Sequence, residues 1–323
     1  MKMFGSWFKF FVVGLLMGVV GVMPVTNSYA TDGSSGDNIQ ITLSPTSVHE
    51  ELKPGETKTG TFKLINSGAR PFNAKVYASP YQVNGEDYEP VFGSDIPQTQ
   101  VSRWVKFSQE TFSLKPNQTV EVKYEINVPK DIPAVGQYAA LFAETTGEED
   151  NGGAVITKKR VGMILYGKVS GGDTRQSGEL ISSDVAFWQQ NRPLSSKIRV
   201  KNTGNTDFMS YSKFKVKNFF GGKVRYESQN LDHAVLPDTV RAINLEWNDA
   251  TIGLYKVEIE SQILGKTEII EKTVLMAPFW LLAVILILLL IKLLFNNYWR
   301  YSLCDFQKTS HKNSSRIRKY YFF

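Results

Sequence analysis

Val120, Val122, Tyr124, Ile126 and Val128 alternate with Glu121, Lys123, Glu125 and Asn127, and Thr61-Phe62-Lys63-Leu64 follows the same rule. A period of two sends apolar side chains to one face of a strand and polar ones to the other, so these stretches predict half-buried β-strands. Turn-forming groups punctuate the pattern from Ile39 onward: Lys53-Pro54-Gly55, Asn66-Ser67-Gly68, Asn84-Gly85, Lys115-Pro116-Asn117 and Asn151-Gly152-Gly153. Such residues pre-set φ or tolerate positive φ, which is what a tight turn requires. No long stretch between residues 39 and 275 has helical periodicity, although Gln98 to Val105 suits one short helical turn. Short strands with frequent turns predict immunoglobulin-like antiparallel β-sandwiches, an all-β fold.

Two stretches abandon alternation altogether. Ala277 to Phe295 is an almost unbroken apolar run in which Lys292 is the only charge. As a helix it covers about 28 Å, the thickness of a bilayer core. Pro278 sits where a helix needs no N–H, Lys292 is near enough to the end to snorkel, and Trp280, Tyr298 and Trp299 flank the run as interfacial aromatics do. One transmembrane α-helix over 277–295 is predicted. At the other end, Lys2 and Lys9 precede an apolar segment from Phe10 to Val22, then Pro24 and the small-residue site Ser28-Tyr29-Ala30. That order predicts a signal peptide over 1–30, cleaved after Ala30. A Gly/Ser/Asp linker follows over 31–38.

The intervening pattern repeats. Ile198-Arg199-Val200-Lys201-Asn202-Thr203-Gly204 echoes Phe62-Lys63-Leu64-Ile65-Asn66-Ser67-Gly68, an alternating strand closed by Asn-x-Gly. Leu236-Pro237-Asp238-Thr239 echoes Leu114-Lys115-Pro116-Asn117, and Gly253-Leu254-Tyr255 echoes Gly136-Gln137-Tyr138. A tyrosine at the start of a late strand suits a tyrosine corner. The repeat predicts a first β-sandwich over 39–170 and a second over 178–275. The polar, glycine-containing stretch 171–177 would serve as a short hinge.

Charge changes the picture only once it is located. The chain carries a formal net charge of +6, yet residues 31–277 hold 28 Lys+Arg against 30 Asp+Glu. The excess lies in the tail, 296–323, with Arg300, Lys308, Lys312, Arg316, Arg318 and Lys319 against Asp305. A basic flank marks the cytoplasmic side of a span, so a single-pass type I topology is predicted, with the large region outside the cell. Orientation accounts for the charge, and no nucleic-acid partner is predicted. The one cysteine, Cys304, is in that tail, so the exported part has neither disulfide nor cysteine metal site.

The order of these parts carries a resemblance. Signal peptide, a β-domain with Lys53-Pro54-Gly55, Asn66-x-Gly68 and Val128-Pro129…Gly136-x-Tyr138, a second with Leu236-Pro237 and Gly253-x-Tyr255, then one helix and a basic tail: together this resembles the WxL-interacting protein family of bacterial cell-surface proteins and its uncharacterised single-span relatives. The resemblance implies a first domain directed at peptidoglycan and a second directed at host or partner proteins. It also implies association with secreted proteins that carry Trp-x-Leu motifs. Trp104-Val-Lys and Trp188-Gln-Gln are not such motifs and Trp280-Leu-Leu is in the helix, so this chain would be the anchored partner.

Catalytic chemistry has little to stand on. The exported histidines are His49 and His233, no His-Glu-x-x-His or Gly-x-Ser-x-Gly stretch exists, and no exported thiol is present. Glu148-Glu149-Asp150 lacks the alternating ligand spacing of a calcium loop, and Asn84-Gly85-Glu86-Asp87 reads likewise as a solvated hairpin tip. No catalytic residue, cofactor or metal is predicted.

Binding is the remaining class. Tyr81 and Tyr88, with Tyr77, cluster around the Asn84-Gly85 turn, and Phe187-Trp188 precedes a polar loop. Exposed aromatics at loops suit glycan or protein recognition, with core packing as the alternative. Lys213, Lys215 and Lys217 alternate on one strand, as do Lys197, Arg199 and Lys201 on another. If the two strands share a sheet they form a basic stripe for an anionic wall polymer or an acidic protein; otherwise they are a solvated face. The expected function is noncatalytic adhesion or scaffolding at the membrane, by binding peptidoglycan or another wall polymer, or a secreted or surface protein. The alternatives are an accessory subunit of a membrane complex and, less favoured, a surface hydrolase.

Overall fold

The computed structural model describes residues 39–296 apart from 133, 147–157, 172 and 230. The expected signal peptide, the linker 31–38, the acidic Glu148 stretch and the tail beyond Asn296 lie outside the described residues. The first ten strands are β1 (Ile41–Ser44), β2 (Ser47–Leu52), β3 (Thr57–Asn66), β4 (Phe72–Asn84), β5 (Glu89–Phe92), β6 (Val105–Phe107), β7 (Thr111–Leu114), β8 (Thr119–Asn127), β9 (Gly136–Thr145) and β10 (Arg160–Val169). Between β5 and β6 lie a 3-10 turn, Pro97–Thr99, and the single helical turn α1 (Val101–Trp104). The next nine are β11 (Gly178–Asp184), β12 (Trp188–Gln189), β13 (Leu194–Asn202), β14 (Phe208–Asn218), β15 (Val224–Glu227), β16 (Leu231–Val235), β17 (Val240–Trp247), β18 (Gly253–Ile263) and β19 (Lys266–Met276). The apolar helix α2 (Phe279–Asn296) follows.

The strands make two sandwiches. In the first, the sheet β1-β3-β8-β6 faces the sheet β2-β10-β9-β4-β5, with β7 also on β4. The alternation seen in the sequence sets the register: Phe62 lies opposite Val122 and Leu64 opposite Val120, so both strands turn the same face inward. Phe62, Leu64, Val122, Tyr124 and Ile126 join Leu141, Met163 and Leu165 in one core, with Trp104 of α1 at its margin. In the second sandwich β11-β13-β17 faces β12-β19-β18-β14-β15, with β16 also on β14. Its core centres on Phe214, Ile243, Val257 and Trp247, whose ring is edge-on to Tyr255 at 5.4 Å.

Among the described strands each sandwich contains one parallel pair, which the antiparallel expectation did not include. The chain enters along β1, crosses to the other sheet at Pro45 and continues in the same direction as β2, so β2 runs parallel to β10. In the second sandwich β11 and β12 divide in the same way, and β12 runs parallel to β19.

The repeat in the sequence is a repeat in hydrogen bonding. Asn66 and Asn202 are both fully buried. Asn66 Nδ2 donates to the carbonyls of Arg70 and Lys115, and its Oδ1 accepts from Gly68 N at 3.0 Å. Asn202 Nδ2 donates to the carbonyls of Thr206 and Val235, and its Oδ1 accepts from Gly204 N at 2.8 Å. Each asparagine closes its own turn and ties it to the end of a strand later in the chain, β7 or β16, satisfying carbonyls that would otherwise be buried unpaired.

The Gly-x-Tyr repeat diverges. Tyr255 Oη donates to the Thr251 carbonyl four residues upstream at 3.1 Å, as a tyrosine corner does. Tyr138 instead reaches the second sandwich: its hydroxyl donates to Asp207 Oδ1 at 3.1 Å and accepts from Asp207 N at 2.9 Å. In both copies the ring folds back over the glycine, and a Cβ at Gly136 would sit 2.4 Å from the Tyr138 hydroxyl.

One projecting hairpin completes the seam between the sandwiches. Up to Pro80, β4 pairs with β9; from Tyr81 it pairs with β5 alone. Proline cannot donate to a ladder, which suits the point where the strand leaves the sheet. The resulting arm, 81–92, lies against the second sandwich, where Ala242 N donates to the Glu86 carbonyl at 2.8 Å and the Arg199 side chain pairs with Glu86 at 2.6 Å. The described residues 173–177 of the expected hinge are also bonded to their surroundings. Arg175 N donates to Asn205 Oδ1, Asn205 Nδ2 to the Asp173 carbonyl, and Thr203 N to the Ser177 carbonyl.

Candidate functional site

The structure separates the residues expected to bind. Tyr81 and Tyr88 are not displayed at a loop. They are buried in the seam with Tyr138, Phe142, Tyr166, Ala234 and Leu236. Tyr88 holds φ at 59°, a left-handed conformation costing roughly 1–3 kcal/mol for a residue with a Cβ. That conformation accompanies a ring set between the sandwiches. The Tyr88 hydroxyl accepts from Leu236 N at 2.9 Å and bonds Thr239 Oγ1, which donates to the Leu236 carbonyl at 2.8 Å. The Arg241 guanidinium lies 4.3 Å over the Tyr88 ring. Burial raises the phenol pKa of Tyr81, Tyr88, Tyr138 and Tyr166 above the usual range, so these hydroxyls remain neutral hydrogen-bonding groups. Tyr77 stays nearer the surface and donates to Glu144 Oε2 at 2.8 Å. Glu86, expected at a solvated tip, is the arm's contact with Arg199.

The basic stripe does not form. β13, carrying Lys197, Arg199 and Lys201, belongs to the three-stranded sheet, whereas β14, carrying Lys213, Lys215 and Lys217, belongs to the opposite one. Lys213 and Lys215 pair with Glu227 at 2.6 and 3.3 Å, and Lys217 pairs with Glu258. The Glu227 hydrogen bond raises the Lys213 pKa, and the Lys213 hydrogen bond in turn lowers that of Glu227. This face is a lattice of crossed charges with its lysines already compensated. The cause lies in strands that the lysine spacing alone cannot show: β15 and β18 place acids opposite β14.

Phe187, just before β12, and Trp188, its first residue, part company. Phe187 is exposed, while Trp188 donates from Nε1 to the Ala277 carbonyl at 2.6 Å and stands edge-on to Phe279 at 4.6 Å. Both are therefore at the root of α2. His49 stacks on Tyr166 and lies 3.6 Å from Asp207, and His233 lies in β16. Among the described residues no group of three or more His, Cys, Asp or Glu could hold a metal ion. A shallow polar groove on the three-stranded sheet is lined by Asp184, Asn191, Lys197, Asn244 and Glu246, with Gln189 at its rim. Both ends of the Gln189 amide are occupied by the Ser195 backbone.

The feature that residue types did not point to is an edge. β19 is eleven residues long, and β12 covers only Leu275 and Met276. Leu275 N donates outward to the Phe187 carbonyl, away from β18. Strand groups alternate in direction, so Thr267, Ile269, Glu271 and Thr273 also aim their N–H and C=O away from β18, on a side where no strand lies among the described residues. Ile269 is 64% exposed on this strand. Glu268, Glu271 and Lys272 put charges along it, the usual guard against indiscriminate pairing. The alternation of β19 could have suggested a strand, but its edge position depends on the sheet order.

No protein-family model matches the chain, and no curated protein matches it in sequence. Solved structures resemble it at low identity. The E. coli chaperone DraB is 11% identical, with 74% of this chain and 98% of that one covered, at a TM-score of 0.36. The class 5 fimbriae chaperone CfaA is 11% identical over 73% of this chain and 99% of its own, at 0.35. The Pseudomonas aeruginosa CupB2 chaperone is 12% identical over 72% and 99%, also at 0.35. Likeness of this degree assigns no site or ligand to the chain.

Proposed function

We propose that this chain is a noncatalytic bacterial surface protein, anchored by α2, that holds another protein by strand addition at the free edge of β19. The observation that carries the reading is that edge: four outward-facing N–H and C=O pairs on the longest strand left open on one side, running directly into the anchoring helix. Main-chain bonds would supply affinity, and Ile269 with the charges of Glu271 and Lys272 would select the incoming segment. The helix supports the anchoring. It has 18 residues, spans about 27 Å, and has none of its residues buried within the chain. With the basic tail inside, both sandwiches stand outside the cell.

The resemblance to WxL-interacting proteins names a partner class for the edge, secreted proteins with Trp-x-Leu motifs. Wall polymer is the second reading, favoured by the polar groove around Asn191 and Asn244. The test uses the full chain in detergent, offered secreted proteins and purified wall sacculi from the same cells. Glu271→Pro removes one outward N–H and leaves the β18 ladder intact. Retention of a secreted protein should fall by about tenfold in that variant with little change in Tm. Equal retention by Glu271→Pro rejects the edge, and retention on sacculi alone favours the groove.

A further inference from the structure

The strands of the second sandwich run from the seam to the helix. β14 begins at Phe208, beside the seam, and ends at Asn218; β18 begins opposite the end of β19, where Gly253 pairs with Met276. The end that receives α2 is unusually apolar. Phe219 N donates to the Leu254 carbonyl, Leu254 lies opposite Leu275, and Leu275 N donates to the Phe187 carbonyl. Backbone bonding thus lines up four apolar residues from four segments in a row across this end. Beyond the row, Gly221 and Gly222 take positive φ, 78° and 62°, and close the tip of the β14–β15 hairpin, leaving Phe220 79% exposed. Phe187 and Ile252 are 61% and 56% exposed at the same end. Among the described residues of the first sandwich no large apolar side chain is exposed.

We propose that this end is a lipid-docking collar: Phe187, Phe219, Phe220 and Ile252 enter the interfacial layer of the bilayer that α2 crosses. The proposal rests on the anchoring reading above. Continuity commits the surface to lipid. Ala277 N donates to the Gln189 carbonyl, the Trp188 indole bonds the Ala277 carbonyl, and its ring meets Phe279 in the first turn of α2. Leu275 and Phe279 are four residues apart, at most about 14 Å of chain, so the collar cannot stand clear of the interface. Arg192 and Lys223, both exposed, flank the apolar residues and suit phosphate headgroups; Asp249 is the exposed acid beside Ile252. The collar adds a second attachment to the helix and holds the second sandwich at a set height on the membrane. β19 then presents its open edge at that height.

The test places single nitroxide labels in a Cys304→Ser background, with the full chain reconstituted in phosphatidylcholine–phosphatidylglycerol liposomes. Labels are introduced by Phe220→Cys, Leu264→Cys and Leu286→Cys. Leu264 is at the β18–β19 turn, the opposite end of the sandwich, and Leu286 is within α2. Collision with a water-soluble nickel chelate should be about threefold or more lower at 220 than at 264, with oxygen collision raised at 220, as for an interfacial residue. Equal chelate access at 220 and 264 with 286 shielded overturns the collar and leaves the anchor standing. Free chelate access at 286 overturns the anchor itself, and the collar with it.

Discussion

Asn66 and Asn202 occupy equivalent turns and bond them in the same way, each with its amide inside the protein. An alanine there leaves buried carbonyls without donors. Asn202→Ala should lower stability by about 2–4 kcal/mol, read as a drop in Tm without new activity or loss of expression. His233 adds a pH dependence. Burial, then the Arg241 charge, lowers its pKa below the usual histidine value, against a smaller opposing effect of Asp232. Below about pH 6.5 the unfolded chain therefore takes up a proton that the folded chain disfavours, and stability falls as pH drops. Melting curves between pH 7.5 and 5.5 should show that fall, and His233→Gln should flatten part of it. Both asparagines were visible in the sequence as Asn-x-Gly turns. Tyr81 and Tyr88 are visible in the sequence as a cluster, but the pattern leaves exposed recognition and core packing both open. Whether a loop aromatic is exposed depends on what lies opposite, and Leu236, Thr239 and Arg241 are about 150 residues away in the chain.

The elements follow local pattern closely. Alternation marks β3, β8 and β13, the Gly-x-Tyr repeat marks β18, and the short helical turn expected near Gln98 is present as α1. Pairing was less legible. Lysine spacing on β13 and β14 allowed a shared stripe, yet sheet order puts these strands in opposite sheets. Two tyrosines in the same Gly-x-Tyr setting took different partners because only Tyr138 has Asp207 in reach. The arm 81–92 is the element most dependent on its neighbour. Tyr88→Phe removes the hydroxyl that joins Leu236 N to Thr239, at a cost of about 1–3 kcal/mol. In that variant hydrogen exchange should quicken in the arm and around Leu236 before either core is affected. A uniform loss of protection across both sandwiches would mean that the seam is not an independent element.

At the scale of the whole molecule, two sandwiches bonded through a tyrosine-rich seam stand on one apolar helix. Among the described strands the sandwich next to the helix carries the longest open edge, and its strands run the full distance from seam to helix root. This arrangement separates the tasks proposed for the chain: α2 anchors, the seam keeps the sandwiches in register, and β19 is left open for a partner strand. The open edge is also the part least readable from sequence, since an edge is a property of what fails to pair. Residue-resolved hydrogen exchange on the full chain, with and without its cells' secreted proteins, tests this most directly. Fast exchange is expected at the amides of Thr267, Ile269, Glu271 and Thr273 in the free protein, with protection of those four when partner is bound. Slow exchange there in the free chain, or bound partner with no gain in protection, would contradict it.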